Sequence, residues 1–340
     1  MACLISLAGS KQHGYAVSNS VMRAASAPRI VVKLPISVDT VLNGELDATL
    51  GRPQLLTVSD SLIVFFDYNE NRLSAIDFSG HYRWRVGRRG QGPGEWANPT
   101  ALAAASGGGV LVYDGGNARL VRIDASGKIT RSLQITSPLQ RLGKLSDGRW
   151  VAFGGSRGRP VAELLDTAAS IVRTLPWAVW PDSAAGLGSQ LRVASGASGA
   201  VVAVSIYTGR MMPVRPDLTL DWGASGIDPK PLPVRVPVSG SDGTTFASVA
   251  PDTKPAIRDA AIVGNQVFVL AAGQDIGGRM FDVYDLPTMK YRASIRVPLE
   301  LNVVASGRHE IVATSNDPYP VIVRIRWNEQ ALREALKKAN

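Results

Sequence analysis

Leu62-Ile63-Val64-Phe65-Phe66-Asp67, followed by Arg72-Leu73, Ile76-Asp77 and Ser79-Gly80, is a pattern that the chain writes twice. It returns 47 residues later as Val110-Leu111-Val112-Tyr113-Asp114, Arg119-Leu120, Ile123-Asp124 and Ser126-Gly127. Asp67 and Asp114, Arg72 and Arg119, Asp77 and Asp124, and Gly80 and Gly127 all keep that offset without a gap. A constant spacing over such a stretch marks an internal repeat. Within each copy, an apolar run predicts a strand buried on both sides. Asp with Asn or Gly predicts a turn, an alternating run a second strand, and Ser-Gly a turn into an outer strand.

Weaker copies follow at Leu145–Leu175, Leu191–Trp222, Ala260–Val297 and Leu301–Trp327. The 274 residues from Gln54 to Trp327, shared over six units, give about 46 each, within the roughly 40–50 residues of propeller repeats. The expected fold is therefore all-β, a six-bladed β-propeller of four-stranded blades. The last unit offers only three strands, Leu301–Ala305, Glu310–Thr314 and Val321–Arg326, before a helical stretch at Asn328–Lys338. Its missing outer strand is assigned to Arg29–Leu34, which would close the ring and remove an open sheet edge. Residues 1–27 read as a weakly structured tail or leader remnant, and 28–340 as one propeller domain. Residues 223–257 form a long excursion whose prolines argue against a seventh blade.

Asp114-Gly-Gly-Asn-Ala-Arg-Leu-Val-Arg-Ile-Asp-Ala-Ser-Gly127 resembles the repeat of NHL-type six-bladed propellers. Gly87-Arg-Arg-Gly-Gln-Gly-Pro-Gly-Glu-Trp-Ala-Asn-Pro99 resembles the inter-blade loop of bacterial members of that group. The resemblance covers residues 54–135. It implies a fold and an exported, periplasmic or secreted compartment; it implies no reaction.

The apolar stretch Ala2–Ala8 is short, lacks a basic n-region, and is followed by Ser10 where a lipoprotein would need cysteine. A cytoplasmic location is thus the alternative. No run of 18 apolar residues exists, so no transmembrane helix is expected. Cys3 is the only cysteine, which excludes an internal disulfide and a thiolate metal cluster. Lys and Arg exceed Asp and Glu by 37 to 28, a net charge of +9. The basic residues are spread along the chain without an interleaved basic–aromatic groove, which argues against nucleic acid as partner.

Catalytic motifs do not stand up to their context. Gly90-x-Gly92-x-Gly94 precedes Pro99 and a strand, whereas a phosphate loop must open a helix. Gly154-Gly155-Ser156-Arg157-Gly158 fits the nucleophile pattern, but Pro160 and a strand-like run deny the required strand-to-helix turn. His13, His81 and His309 are too scattered in the repeat scheme for a zinc site. No cofactor is expected, with calcium the one possible exception. Asp67, Asp114, Asp275 and Asp317 are its weak candidates, set against their ordinary service as turn caps.

Propeller topology puts the loop between a blade's second and third strands on the same face as the loop leading to the next blade. That rule collects Asn69, Arg88, Arg89, Arg157, Arg159, Arg210 and Arg279 with Trp177, Trp180, Tyr207 and Tyr319. Arginines with aromatics suit a protein partner or a small anionic or sugar-like ligand. The expectation is a non-catalytic binding scaffold, with a metal-dependent hydrolase or lactonase using carboxylates near the channel as the alternative. The same topology carries the 223–257 excursion to this face.

Overall fold

The computed structural model describes residues 27–339, apart from 138, 157–158, 176–189, 216, 221–223, 231–234, 240–244, 274–275 and 287. β1 (Val31–Val32) and β2 (Ile36–Asn43) precede the first blade. Blade 1 is β3 (Pro53–Ser59), β4 (Leu62–Asp67), β5 (Arg72–Asp77) and β6 (Tyr82–Val86). Blade 2 is β7 (Pro99–Ala104), β8 (Val110–Asp114), β9 (Arg119–Ile123) and β10 (Ile129–Gln134). Blade 3 is β11 (Leu139–Lys144), β12 (Trp150–Ser156), β13 (Arg159–Leu165) and β14 (Ile171–Thr174). Blade 4 is β15 (Leu191–Ser195), β16 (Val201–Ser205), β17 (Arg210–Pro213) and β18 (Ala224–Ser225). A separate hairpin, β19 (Arg235–Ser239) with β20 (Thr245–Val249), follows. Blade 5 is β21 (Ile257–Val263), β22 (Gln266–Ala271), β23 (Met280–Asp285) and β24 (Lys290–Arg296). β25 (Val303–Ser306), β26 (Glu310–Ser315) and β27 (Val321–Trp327) begin blade 6, and α1 (Glu329–Lys338) ends the chain.

The protein is a six-bladed β-propeller. The innermost strands touch in the order β3, β7, β11, β15, β21, β25 and back to β3, closing a ring around a central channel. Six apolar clusters hold it, each made by two neighbouring blades. This explains why second strands such as Leu62–Asp67 and Val110–Asp114 are apolar almost throughout: both of their faces are buried between blades.

β2 closes the ring, lying antiparallel to β27 from Ile36 opposite Trp327 to Asn43 opposite Val321. The closing strand thus lies later than the expected Arg29–Leu34. Its length matches β27, and Ile36, Val38 and Leu42 present apolar side chains to the inter-blade cores. The earlier segment lies between Pro28 and Pro35, which interrupt ladder pairing. It supplies only β1, a parallel fifth strand on the outer edge of blade 5. Arg29 secures it there by donating from Nε and Nη2 to the buried Asp282 carboxylate at 2.9 and 3.0 Å. Ser294 Oγ donates to the same carboxylate at 2.6 Å.

Blade 4 also ends differently. Leu218 turns back at φ 66° inside a short loop closed by the Val214–Leu220 bridge, so the outer strand is Ala224–Ser225, beyond Trp222 where the sequence copy was expected to end. The excursion that follows contains the two-stranded sheet β19–β20, separate from every blade. Its ends are tied to the Ile206–Gly209 turn. Gly226 N donates to Gly209 O, and Ala256 N to Ile206 O.

Candidate functional site

The first residues of the inner strands line the channel where the second-to-third-strand turns emerge. Three of these strands carry charge at that level: Arg141 on β11, Arg192 on β15 and Asp259 on β21. With Tyr68, Gln54 and Thr100 they line a cavity of about 240 Å³ at the channel mouth. Register shifts at the start of β3, β7, β11 and β21 insert an extra residue there, and two of these residues, Gln54 and Thr100, line the cavity.

The arginines first serve the ring. Arg141 Nε donates to Leu191 O at 2.9 Å and Nη1 to Thr100 O at 2.8 Å, joining blade 3 to blades 4 and 2. Arg192 Nε donates to Arg258 O at 2.9 Å and stands 3.9 Å from Asp259 Oδ1. Asp259 accepts from Ala260 N at 3.0 Å and, across the blade boundary, from Val304 N at 2.9 Å. The Tyr68 hydroxyl donates to Pro99 O in blade 2. Among the described residues, no hydrogen bond occupies Arg141 Nη2 or either terminal nitrogen of Arg192, and Thr100 Oγ1 is buried without a partner. The mouth therefore combines two guanidinium groups with one carboxylate and leaves donors over.

Its electrostatics reflect that imbalance. Burial, with repulsion from Arg192, pushes Arg141 down to about 10. Burial raises the Asp259 carboxyl above its ordinary value although Arg192, two backbone N–H groups and Arg141 oppose the shift. A carboxyl raised in the folded state contributes its full share of stability below the unfolded value and loses it as pH rises through the folded one. Urea unfolding at pH 4 and pH 7 should therefore show Asp259→Asn removing a part of the pH dependence that favours the acidic side. An identical pH dependence in the variant would refute the coupling.

The arginines and aromatics expected to form a ligand face, as far as they are described, stand away from this mouth. Arg88 pairs with Glu95 at 2.8 Å, with its side chain 80% exposed. Glu95 also accepts from Gly92 N, making the glycine-rich segment a self-braced turn. Arg89 bridges to Trp96 through the backbone. Tyr207 occupies the turn before Arg210, which starts β17, while Arg279 Nη1 donates to Pro298 O at 3.4 Å. Tyr319 is exposed in the β26–β27 turn. None of these lines the channel mouth. Arg157, Trp177, Trp180 and Asp275 lie outside the described residues, as does the side chain of Arg159.

Asp67 and Asp114 make matching bonds to the segments that enter their blades. Asp67 accepts from Gly51 N and Arg52 N at 2.7 and 2.9 Å, and Asp114 from Ala97 N and Asn98 N at 3.2 and 2.8 Å. Each buried carboxylate fastens the loop that enters its own blade. Arg119 adds bonds to Gly92 O and Glu95 O, which hold the blade 1–blade 2 loop. Asp317 is exposed in the last blade's turn. Among the described residues, no three His, Cys, Asp or Glu side chains gather to hold a metal ion. In the nucleophile-like segment, Gly154, Gly155 and Ser156 lie on β12, and Ser156 pairs with Arg159 of the adjacent antiparallel strand β13.

Comparison with known proteins agrees on the architecture. Residues 41–158 match the DUF5128 family, described as a 6-bladed beta-propeller. No curated protein matches the sequence significantly. Among solved structures, a Bacteroides fragilis protein described as a suspected exported protein is similar at TM-score 0.54 and 11% identity, over 87% of this chain and 96% of that one. Virginiamycin B lyase from Staphylococcus aureus gives 0.52 at 12%, over 86% and 100%. A calcium-binding protein, regucalcin from Agrobacterium tumefaciens, gives 0.51 at 13%, over 88% and 95%. At such identities the likeness is one of fold. Among the described residues no helix is long and apolar enough to cross a membrane.

Proposed function

We propose that the protein is a non-catalytic binding propeller whose ligand site is the channel mouth and whose ligand is an anion. The observation that carries this reading is the pairing of Arg141 and Arg192 with the single carboxylate of Asp259 around one cavity, with guanidinium donors left over. In a partly desolvated pocket, guanidinium groups held by backbone carbonyls are preorganised to donate to a carboxylate or phosphate oxygen. The alternative, a hydrolase or lactonase using a carboxylate-bound metal at the channel, draws less support. Asp259 is the only carboxylate among the described residues lining the mouth, and it is engaged by backbone N–H groups.

The NHL-type kinship rests on the Asp114–Gly127 and Gly87–Pro99 motifs. An exported location rests on that kinship and on likeness to the Bacteroides fragilis protein. Calorimetric titration with acetate and with phosphate tests the site. At least one of them should bind the native protein, and Arg192→Gln should weaken that binding about tenfold or more, in line with loss of a charged hydrogen bond. Unchanged binding in a folded Arg192→Gln protein would overturn the reading.

A further inference from the structure

We infer that the channel mouth takes a small 2-hydroxycarboxylate, its carboxylate on the terminal nitrogens of Arg141 and Arg192 and its hydroxyl donating to Asp259. The inference rests on the anion-site reading above and adds the ligand's class.

Asp259 keeps acceptor capacity beside the spare guanidinium donors. Its Oδ1 accepts from Ala260 N at 3.0 Å and its Oδ2 from Val304 N at 2.9 Å, one bond to each oxygen. An ionised carboxylate has about four acceptor positions. Among the described residues no side chain donates to it: Arg192 Nε, at 3.9 Å, is beyond hydrogen-bond reach and is spent on Arg258 O. The Asp259 side chain is 9% exposed and lines the mouth cavity together with both arginines. The mouth thus presents donors and an acceptor to one ligand. Plain acetate would answer the donors only.

Distance and charge narrow the class. Arg141 and Arg192 are close enough for their charges to repel, and a carboxylate shared by both relieves that repulsion. Because Arg192 stands beside Asp259, the ligand's own donor must sit beside its carboxylate, which places it on the α-carbon. Two guanidinium groups and one carboxylate leave one positive charge among the described residues lining the cavity. A hydroxy acid, a monoanion at neutral pH, balances that charge. An amino-acid zwitterion also carries a donor on its α-carbon, but it leaves the charge uncompensated in a partly desolvated pocket.

The test is calorimetric titration of the full chain with glycolate, acetate, methoxyacetate, glycine and phosphate at neutral pH. Glycolate should bind about tenfold or more tightly than acetate, in line with one hydrogen bond to a charged group. Methoxyacetate, which keeps the oxygen but has no proton to donate, should fall to the acetate level or below. Glycine should bind more weakly than glycolate. In Asp259→Asn the remaining oxygen is held by a backbone N–H, so the glycolate-to-acetate ratio should fall toward parity. Acetate itself should bind that variant more tightly, because the opposing charge is gone. Equal affinities for acetate and glycolate, methoxyacetate matching glycolate, or an unchanged ratio in a folded Asp259→Asn protein would overturn the hydroxyl contact while leaving the anion site standing. Glycine binding as tightly as glycolate would overturn the hydroxy acid, and phosphate binding more tightly than glycolate would overturn the carboxylate. No binding by any of the five would overturn both this inference and the anion site. Should Asp259→Asn fail to fold, the comparisons on the native protein decide the matter.

Discussion

Deletion of residues 1–43 is expected to abolish cooperative folding, whereas deletion of residues 1–35 should leave a folded but weakened propeller. The longer deletion removes β2 and leaves β27 as an open edge. It takes Ile36, Val38 and Leu42 out of two inter-blade cores. At roughly 1.5–3 kcal/mol for a buried aliphatic side chain such as Leu42, less for the partly buried Ile36 and Val38, and with the ladder bonds added, the loss reaches much of the roughly 5–15 kcal/mol that stabilises a domain. The shorter deletion spares β2 but removes β1 and Arg29. Asp282, only 5% exposed at its side chain, then keeps Ser294 as a donor but loses its ion-pair partner. Breaking one side of such a pair costs about 3–5 kcal/mol when fully buried. Arg29 is partly exposed, so about 2–3 kcal/mol is expected. Urea unfolding followed by tryptophan fluorescence distinguishes the two: a sigmoidal transition shifted to lower urea for the shorter deletion, and no transition for the longer. A cooperative transition in the chain beginning at residue 44 would show that β2 is dispensable.

Asp114→Ala should destabilise the protein by about 3–5 kcal/mol. The carboxylate is fully buried and 3.7 Å from the Arg119 guanidinium. It accepts from Ala97 N, Asn98 N and Asn117 Nδ2. Alanine leaves the Ala97 and Asn98 N–H groups unpaired, leaves Asn117 Nδ2 only its bond to Gly90 O, and removes the countercharge from Arg119, which is itself largely buried. Asp67→Ala should cost less, because no ion pair accompanies Asp67 among the described residues, although it accepts from Asn69 N and Glu70 N as well as from Gly51 N and Arg52 N. Chemical unfolding of both variants measures the difference. A loss below about 1 kcal/mol for Asp114→Ala would contradict this account of the repeat.

The same repeat shows how far the fold is legible in the chain itself. Gly80 and Gly127 stand at φ 84° and 86°, the left-handed region where a side chain is strained, and Asp77 and Asp124 cap the two turns identically. Such features are legible because they are local: a turn dictates its residues within four or five positions. A third copy of the turn is masked in the sequence because Ala169, at φ 65°, replaces the glycine in a turn capped by Asp166. Blade count follows from the period, and the C-terminal helix from composition and the Asn328 cap, which accepts from Ala331 N.

The candidate site is not legible in the same way. Arg141, Arg192 and Asp259 do leave a trace, as charges on inner strands where the repeat places Leu55 or Ala101. Each lies in a weak copy, however, and their partners are 41 to 66 positions away along the chain, at Thr100, Leu191, Arg258 and Val304. By itself the sequence determined the repeat, its turn chemistry and hence a ring of six blades, because those depend on neighbours in the chain. Which N-terminal stretch closes the ring, and which charges share the channel, only the tertiary structure decided. Ring closure sets residues near the two ends of the chain side by side, and the pitch of the inner strands alone determines which side chains meet at its centre.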